Sequence, residues 1–319
     1  MRIIQFILIF CAFSITSCIE KYPVDFADQS PKLVVECDLL DIDSVHYVKL
    51  SLSKASFSIN EFDTTILGLI NKFQPVTDAQ ITISDNLGVV DTLIGEPDSV
   101  YYIRLIYNEN LNIWVNDTVF ERNEKSLSNG YYCSKKLKIA QGNTYHLTVI
   151  WKDKVYESSS YMPYVPNIDK VVFNFNKGET GKENYYIPYI WFTDNPNTKD
   201  FYLFKTNFGD RVWSRAILSD EHIKTEINGI DVFKGESFEN WRNSYPTEAY
   251  AGMTYRIEMH SITKEIYEYY RALIAQIRND GGVYTPSPFS PPTNISNGAL
   301  GYFKVSGVHI EETIIPHSP

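Results

Sequence analysis

The stretch Gly142-Asn143-Thr144-Tyr145-His146-Leu147-Thr148-Val149-Ile150-Trp151 decides the fold class of this chain. Large apolar side chains recur at every second position from Tyr145 to Trp151, which is the period of a β-strand with one buried face. A turn at Lys152-Asp153-Lys154 follows, and Val155 to Ser158 has the pattern of a returning strand. The stretch therefore predicts a half-buried β-hairpin.

Strand patterns of the same kind fill the region before this hairpin. Short alternating or β-branched runs occur at Leu33 to Cys37, Val48 to Leu52, Ala79 to Ser84, Val89-Val90, Tyr101 to Tyr107 and Lys135 to Ile139. Roughly seven short strands, separated by turn residues and without a convincing helix, predict a β-sandwich of immunoglobulin-like or transthyretin-like type over residues 32–162.

A second β-rich domain is predicted over residues 163–319, because Met162 to Asn167 contains two prolines in a short span. Its strand patterns precede one amphipathic helix near residues 262–278, with Ser261 as a candidate cap. The apolar stripe of this helix, which we interpret as core-facing, consists of Ile262, Ile266, Tyr269, Tyr270, Leu273 and Ile277. The chain is therefore expected to be mainly β, with a single C-terminal helix.

Residues 1–17 have the features of a lipoprotein signal peptide. Arg2 supplies a positive start, Ile3 to Ile15 is an almost unbroken apolar run, and small residues precede Cys18. The run is too short to span a bilayer, which needs about 20 residues. We expect cleavage before Cys18, acylation of Cys18 with chains such as palmitate, and a lipidated tether over residues 18–31. The alternative is an ordinary secretory signal in which Cys18 is incidental.

Two of the four cysteines remain after this processing. Cys11 leaves with the signal peptide and Cys18 carries lipid, so Cys37 and Cys133 form a candidate disulfide in an oxidising compartment. The alternative is the burial of two small apolar side chains.

Charge and motifs exclude several functional classes. A formal net charge of −10 argues against nucleic acid as a partner, since phosphate binding needs clustered Lys and Arg. The chain contains no His-Glu-x-x-His, Gly-x-Ser-x-Gly or glycine-rich phosphate loop. The tight acid–histidine cluster Asp220-Glu221-His222 is interpreted as a polar loop. We therefore predict no catalytic residue, no metal site and no cofactor, and so a non-enzymatic protein.

Aspartate followed by Ser or Thr, and then by an aliphatic residue or Thr, recurs five times before residue 120. The triplet is similar to an O-glycosylation signal of Bacteroidetes extracytoplasmic proteins. A turn aspartate that precedes a β-branched strand residue produces the same triplet for reasons of folding. The candidate acceptors are Ser44, Thr64, Thr92, Ser99 and Thr118.

Motifs along the chain resemble those of the domain-of-unknown-function 4249 family of Bacteroidetes outer-membrane lipoproteins. The residues that carry the resemblance are Lys32-Leu33-Val34-Val35-Glu36, Pro75 to Gly88, Gly142 to Val149, Ile190-Trp191-Phe192-Thr193-Asp194-Asn195-Pro196 and Thr293 to Phe303. Cys37 stands where the family tends to have glycine.

The resemblance implies a location and a partner more than an activity. It implies an outer-membrane protein held by its lipid anchor, on either the periplasmic or the cell-surface face, that assists a TonB-dependent transporter or captures its unknown ligand. A cell-surface adhesin or structural lipoprotein is the first alternative, and a surface hydrolase is the second. For the tail from Asn294 to Phe303 we favour a role in defining the fold over a role in docking.

Overall fold

In the computed structural model, the described residues are 30–53, 74–108, 111–177, 185–209, 214–221, 226–231, 236–237, 250–278 and 290–317. They are mainly β, with one α-helix near the C-terminal end, as the patterning predicts. Cys11, Cys18, Thr64, His222 and the signal peptide lie outside this part of the chain.

The first eleven strands are β1 (Leu33–Leu40), β2 (Tyr47–Leu52), β3 (Gln74–Pro75), β4 (Gln80–Asp85), β5 (Val90–Thr92), β6 (Ile94–Gly95), β7 (Ser99–Asn108), β8 (Ile113–Arg122), β9 (Tyr131–Cys133), β10 (Thr144–Trp151) and β11 (Lys154–Tyr161). The later elements are β12 (Ile168–Asn176), β13 (Tyr185–Thr193), β14 (Phe201–Phe208), β15 (Ser214–Ser219), β16 (Glu226–Ile230), β17 (Glu236–Ser237), β18 (Thr254–Ile262), helix α1 (Lys264–Arg278) and β19 (Leu300–Ile314).

The β10–β11 hairpin confirms the pattern that begins at Gly142. Burial alternates along β10, and the strands pair from Thr144 with Tyr161 to Trp151 with Lys154. Lys152 and Asp153 have φ values of 48° and 59°, and such left-handed residues match a two-residue turn to the twist of its strands.

The described strands form four sheets. The largest has the order β17-β15-β14-β18-β19-β1-β2-β9-β6, with β3 beside β2, and the second has the order β11-β10-β4-β5. Apolar residues of β1 and β2 pack with those of β4 and β10 in one core, which is the predicted N-terminal sandwich. A second core lies among β12, β13, β14 and β18. The remaining sheets are β12-β13-β16 and β7-β8.

Strand β19 connects the two cores. Its first half pairs in parallel with β1, from Val34 with Leu300 to Leu40 with Ser306. Its second half continues the antiparallel pairing with β18, up to Thr254 with Ile314. Phe303 and Val305 lie in the N-terminal core. The C-terminal strand β19 therefore contributes to the first core as well as to the second region. The division of the chain into two domains at residue 163 remains a prediction.

The helix confirms the predicted core-facing stripe, with three corrections. Ile266 and Tyr270 are buried against strands β14 and β15, and Tyr269 and Leu273 are partly buried there. Ile274, which the predicted stripe did not include, is also buried. The helix begins two residues later than expected because Ser261 and Ile262 end strand β18, so Ser261 is not its cap. Ile277 is 44% exposed and does not belong to the buried stripe. Among the described residues, no helix is both long and apolar enough to cross a membrane.

The predicted strand from Lys135 to Ile139 is wrong. The backbone N–H groups of Lys135, Lys136 and Leu137 all donate to Oδ2 of Asp91, at 2.9, 2.9 and 3.3 Å. In a β-strand, successive backbone N–H groups point in opposite directions, toward different neighbouring strands. Three consecutive N–H groups that all donate to one carboxylate cannot do so, and the segment is therefore a loop.

Candidate functional site

Strands β7 and β8 form a long hairpin that stands apart from the other sheets. They pair over ten consecutive residues, from Ser99 with Arg122 to Asn108 with Ile113, without a bulge. Within the described residues, no third strand pairs with either of them. At about 3.4 Å per residue, the hairpin is roughly 34 Å long.

One face of this hairpin, here called the aromatic face, is apolar and exposed. Its cross-strand pairs are Tyr101–Phe120, Ile103–Thr118, Leu105–Asn116 and Tyr107–Trp114. Tyr101 and Phe120 are each 73% exposed, and Trp114 is 65% exposed. Ring centroids lie 6.1 Å apart in the Tyr101–Phe120 pair and 5.4 Å apart in the Tyr107–Trp114 pair. An aromatic pair therefore lies near each end of the face.

The opposite face carries a charged pair in its middle. Arg104 Nε donates to Asp117 Oδ2 at 3.1 Å, and this pair is flanked by Val100, Tyr102 and Ile106. The charges compensate each other, so the middle of the hairpin is locally neutral in a strongly acidic chain. The hairpin can therefore approach another surface without presenting an unpaired charge there.

The base of the hairpin is closed by hydrogen bonds between the segment before β7 and the segment after β8. Asn123 donates its backbone N–H to Asp98 O at 2.8 Å and its side-chain amide to Pro97 O at 3.0 Å. Leu127 N donates to Glu96 O at 2.9 Å. Hydroxyl donation from Ser128 and Ser126 lowers the pKa of Asp98. Beside this base lies an open cleft of about 420 Å³, lined by Thr77, Glu96, Pro97, Asp98, Leu127 and Ser128.

Sequence reasoning identified only half of this site. Tyr101 to Tyr107 was expected to be a strand, whereas Ile113 to Arg122 was not singled out. Its signal is the dense β-branched and aromatic content of Ile113-Trp114-Val115 and Thr118-Val119-Phe120, which is typical of strands. Exposed apolar patches of this kind mark interaction sites in soluble proteins. The hairpin is therefore a candidate docking element.

The structure separates the two cysteines that were expected to form a disulfide. Strand β2 lies between β1, which carries Cys37, and β9, which carries Cys133. Two strand spacings amount to about 9.6 Å, and a disulfide requires Cα atoms less than about 7 Å apart. Both thiols are free and buried. The disulfide prediction is therefore wrong, and the alternative of two small buried side chains describes these residues.

The described acceptors of the Asp-Ser/Thr triplets are exposed, namely Ser44, Thr92, Ser99 and Thr118. The aspartates that precede these acceptors differ in burial and in hydrogen bonding. Asp91 is buried and accepts from Ser134 Oγ at 2.6 Å. Burial opposes its ionisation, but the Ser134 hydroxyl and backbone donors outweigh that effect and lower the pKa of Asp91. Structural roles for Asp91, Asp98 and Asp117 favour a folding origin for those three triplets.

A cluster of charged residues is buried between the central strands. Lys304 and His260 have no exposed surface, and Lys304 Nζ lies 3.3 Å from Asp38 Oδ1. His260 Nε2 lies 3.2 Å from Glu258 Oε2 and Nδ1 lies 3.5 Å from Ser306 Oγ. Burial lowers the pKa of Lys304 to about 8 and that of His260 to about 3. A substrate cannot reach Lys304 or His260, so the cluster supports a structural role and offers no support for a hydrolase.

Among the described residues, three carboxylates in the second β-rich region lie close enough together to hold a metal ion. Oxygen atoms of Asp194, Asp200 and Asp220 lie within 4.8 Å of one another, and carboxylate oxygens are the ligands that Ca²⁺ prefers. Tyr202 donates its hydroxyl to Asp194, and Asp200 N donates to Asp220 Oδ2 at 2.9 Å. Burial and neighbouring carboxylates raise the pKa of Asp194 and Asp200. Internal hydrogen bonds thus account for much of this arrangement, which sequence reasoning did not bring together.

Comparison with known protein families identifies a match over most of the chain. Residues 19–312 match a family model described as "Domain of unknown function (DUF4249)". A search of curated proteins found no match. The matched range covers most of the chain and includes the β7–β8 hairpin, the first core and nearly all of the second core.

Proposed function

We propose, from the premise that this chain belongs to the DUF4249 family, that it is a non-enzymatic lipoprotein of the outer membrane that docks on a TonB-dependent transporter. The observation that carries this proposal is the exposed aromatic face of the β7–β8 hairpin. Exposure of so long an apolar face to water is unfavourable. Burial of this face against a protein partner would stabilise the complex by about 25 cal/mol for each Å² of apolar surface removed from water.

A protein partner suits the hairpin better than insertion into lipid. The Arg104–Asp117 pair lies in its middle, and both outer edges carry backbone groups that no described strand satisfies. Unsatisfied backbone groups cost several kcal/mol each in hydrocarbon. A protein partner that covers the aromatic rings leaves these edges in contact with water or with another protein strand, where their hydrogen bonds can form.

The proposed anchor brings the hairpin within reach of a membrane partner. The apolar run before Cys18 supports lipidation. Residues 18–31 would then form a tether of at most about 50 Å when fully extended, and β1 begins at Leu33. A transporter in the same membrane is therefore a partner that the tethered protein meets in two dimensions.

Co-purification from the native outer membrane tests the proposal. Full-length tagged protein should recover a β-barrel transporter identifiable by mass spectrometry, and the variant Trp114→Ser/Phe120→Ser should lose most of it. The matched control is Leu87→Ser/Tyr164→Ser, since these side chains are 71% and 68% exposed elsewhere on the surface. Recovery of the wild-type lipoprotein without a transporter would overturn the proposal.

A cell-surface adhesin is the second candidate, because the same aromatic face could bind a surface outside the cell. It predicts that Trp114→Ser/Phe120→Ser impairs attachment and leaves nutrient uptake unchanged. The transporter hypothesis predicts the opposite pattern, so parallel attachment and uptake assays on the same variant separate the two functions.

A further inference from the structure

The outer edge of β7 lacks the devices that protect a strand edge from pairing. Its sequence Ser99-Val100-Tyr101-Tyr102-Ile103-Arg104-Leu105-Ile106-Tyr107-Asn108 contains no proline and one charged residue. Its pairing with β8 is regular, without a bulge that would twist the edge away. Long apolar edges without such devices are templates for another strand, and natural proteins normally block them.

From this edge we propose that two copies of the chain pair through β7, which joins their hairpins into one four-stranded antiparallel sheet. Identical strands related by a two-fold axis are necessarily antiparallel, so each copy offers the same edge to the other. The proposal does not depend on a transporter, because it uses the edge of the hairpin and leaves the aromatic faces open.

One register brings apolar residues together on both faces of the new sheet. With the two-fold axis at Ile103, this residue lies opposite the partner's Ile103, and Tyr101 lies opposite the partner's Leu105. On the other face, Val100 lies opposite the partner's Ile106. Apolar and aromatic pairs at directly opposed positions each contribute about 0.2–1 kcal/mol.

The same register also places the only charge of β7 favourably. Arg104 lies opposite the partner's Tyr102, where a guanidinium can contact an aromatic ring. An axis one residue further along would oppose Arg104 with the partner's Arg104, and like charges directly opposite are destabilising. Electrostatic repulsion therefore favours a two-fold axis at Ile103 over one at Arg104.

The outer edge of β8 is a poorer template for the same contact. Its sequence includes Asp117, Glu121 and Arg122, as well as the polar residues Asn116 and Thr118. A two-fold axis at the middle of this strand would oppose Asp117 with the partner's Asp117. The free edge of β7 is thus the self-complementary one.

The expected dimer is weak in solution and favoured on a membrane. The interface is about nine residues long, or roughly 30 Å, and the net charge of −10 on each chain opposes association. Confinement by a shared anchoring surface raises the effective concentration without a new contact. Pairing should therefore be concentration-dependent.

Cysteine cross-linking of the full-length chain in its native membrane tests the pairing. In Ile103→Cys the two new thiols face each other with Cβ atoms about 5 Å apart, so a short bis-maleimide should give a species of twice the mass. The matched control is Thr118→Cys, on the same face of β8, whose two copies would lie about 14 Å apart across three strand spacings. The unsubstituted chain measures any background from the native cysteines.

A charge substitution provides a second readout. Ile103→Lys would oppose two ammonium groups at the axis and should leave only monomer at concentrations where the wild type dimerises, whereas Thr118→Lys should retain the dimer. Both positions are exposed, so either variant should fold. The proposal would be overturned if Ile103→Cys gave no cross-linked dimer, or if Thr118→Cys gave as much as Ile103→Cys. A β7 edge that is covered by another protein or by lipid would give the first of these results, and it too would contradict the proposal.

Discussion

At the scale of single residues, Asp91 organises the loop that was expected to be a strand. Its carboxylate is 1% exposed and accepts four hydrogen bonds, from the Ser134 hydroxyl and three consecutive backbone N–H groups. Donors of this number stabilise the ionised form, which explains the lowered pKa of Asp91 despite burial. The residue thus connects β5 to the segment after β9.

We expect Asp91→Asn to lower the free energy of unfolding by about 2 kcal/mol at pH 7, because the neutral amide oxygen that replaces Oδ2 accepts the four hydrogen bonds more weakly than the ionised carboxylate does. A carboxyl with a lowered folded pKa contributes stability that is present above its unfolded pKa and lost as pH falls through its folded pKa. Urea unfolding should therefore show the difference from wild type shrinking below about pH 4. An equal difference at pH 7 and pH 3 would contradict this account.

The buried Lys304 gives a second prediction at this scale. Asp38→Asn removes the carboxylate 3.3 Å from a lysine with no exposed surface, and leaves a buried cation without its ion-pair partner. We expect a loss of about 3 kcal/mol in the free energy of unfolding. The double variant Asp38→Asn/Lys304→Met should recover most of that loss, because neither member of the ion pair then remains as a buried charge without its partner. Chemical denaturation of both variants measures the coupling, and additive losses would contradict it.

At the scale of elements, the tail from Asn294 to Phe303 forms hydrogen bonds with strands β11 and β19. The Asn294 side chain forms two hydrogen bonds with the backbone of Phe303, at 2.8 and 2.9 Å. Ser296 N donates to Glu157 O at 2.8 Å, and Ser296 Oγ accepts from Glu157 N at 2.7 Å. These bonds tie the segment before β19 to β11. They support the fold-defining role that we favoured for the tail.

Two glycines of this tail offer a matched pair of substitutions. Gly301 has φ of +92°, and an added Cβ would lie 2.0 Å from Val35 O in the adjacent strand β1. Gly298 has φ of +71° and open space around an added Cβ. We expect Gly298→Ala to cost about 1 kcal/mol of backbone strain. Gly301→Ala should cost about 3 kcal/mol or more, because it also disrupts the β1–β19 pairing. Thermal and urea unfolding compare them, and equal losses would show that the close approach is unimportant.

The β7–β8 hairpin is the element whose local sequence and solvent environment disagree most. Its residues have the composition of a buried strand, yet most of its apolar side chains are exposed. Substitutions there should change stability by less than about 0.5 kcal/mol, since no core contact is lost. A hairpin that can be altered without unfolding the chain is well suited to the binding assays described above.

At the scale of the whole molecule, accessibility separates the candidate glycosylation sites. Asp43 and Ser44 are both exposed in the connection between β1 and β2. By contrast, Asp91 is buried, and both Ser99 and Thr118 lie on the aromatic face, where a glycan would cover the proposed docking surface. Of the four described acceptors, Ser44 is therefore the one at which a glycan fits both the folded chain and the proposed docking.

We expect peptide mass mapping of the protein from its native host to find a glycan at Ser44 and an unmodified peptide at Thr118. Ser44→Ala should remove that added mass without changing the fold, because the side chain is exposed. An intact mass equal to that of the lipidated polypeptide alone would contradict modification at any of the five triplets.

The sequence by itself determined the elements whose signals are local. The period of two from Tyr145 to Trp151 requires a half-buried strand, and the stripe of Ile266 and Tyr270 requires a helix face in a core. Both follow from side-chain geometry along a few residues. The same patterning led to the mainly β class, and the ordered motifs led to the family.

Only the tertiary structure decided which distant segments meet. The parallel pairing of β1 with β19, the separation of Cys37 from Cys133, the burial of Lys304 and the approach of the three aspartates all join residues far apart in the chain. The tertiary structure also decided that the β7–β8 hairpin is exposed. The amino-acid composition of an apolar strand does not show whether another sheet covers it. Local periodicity sets which face of a strand is apolar, whereas long-range packing sets what that face contacts.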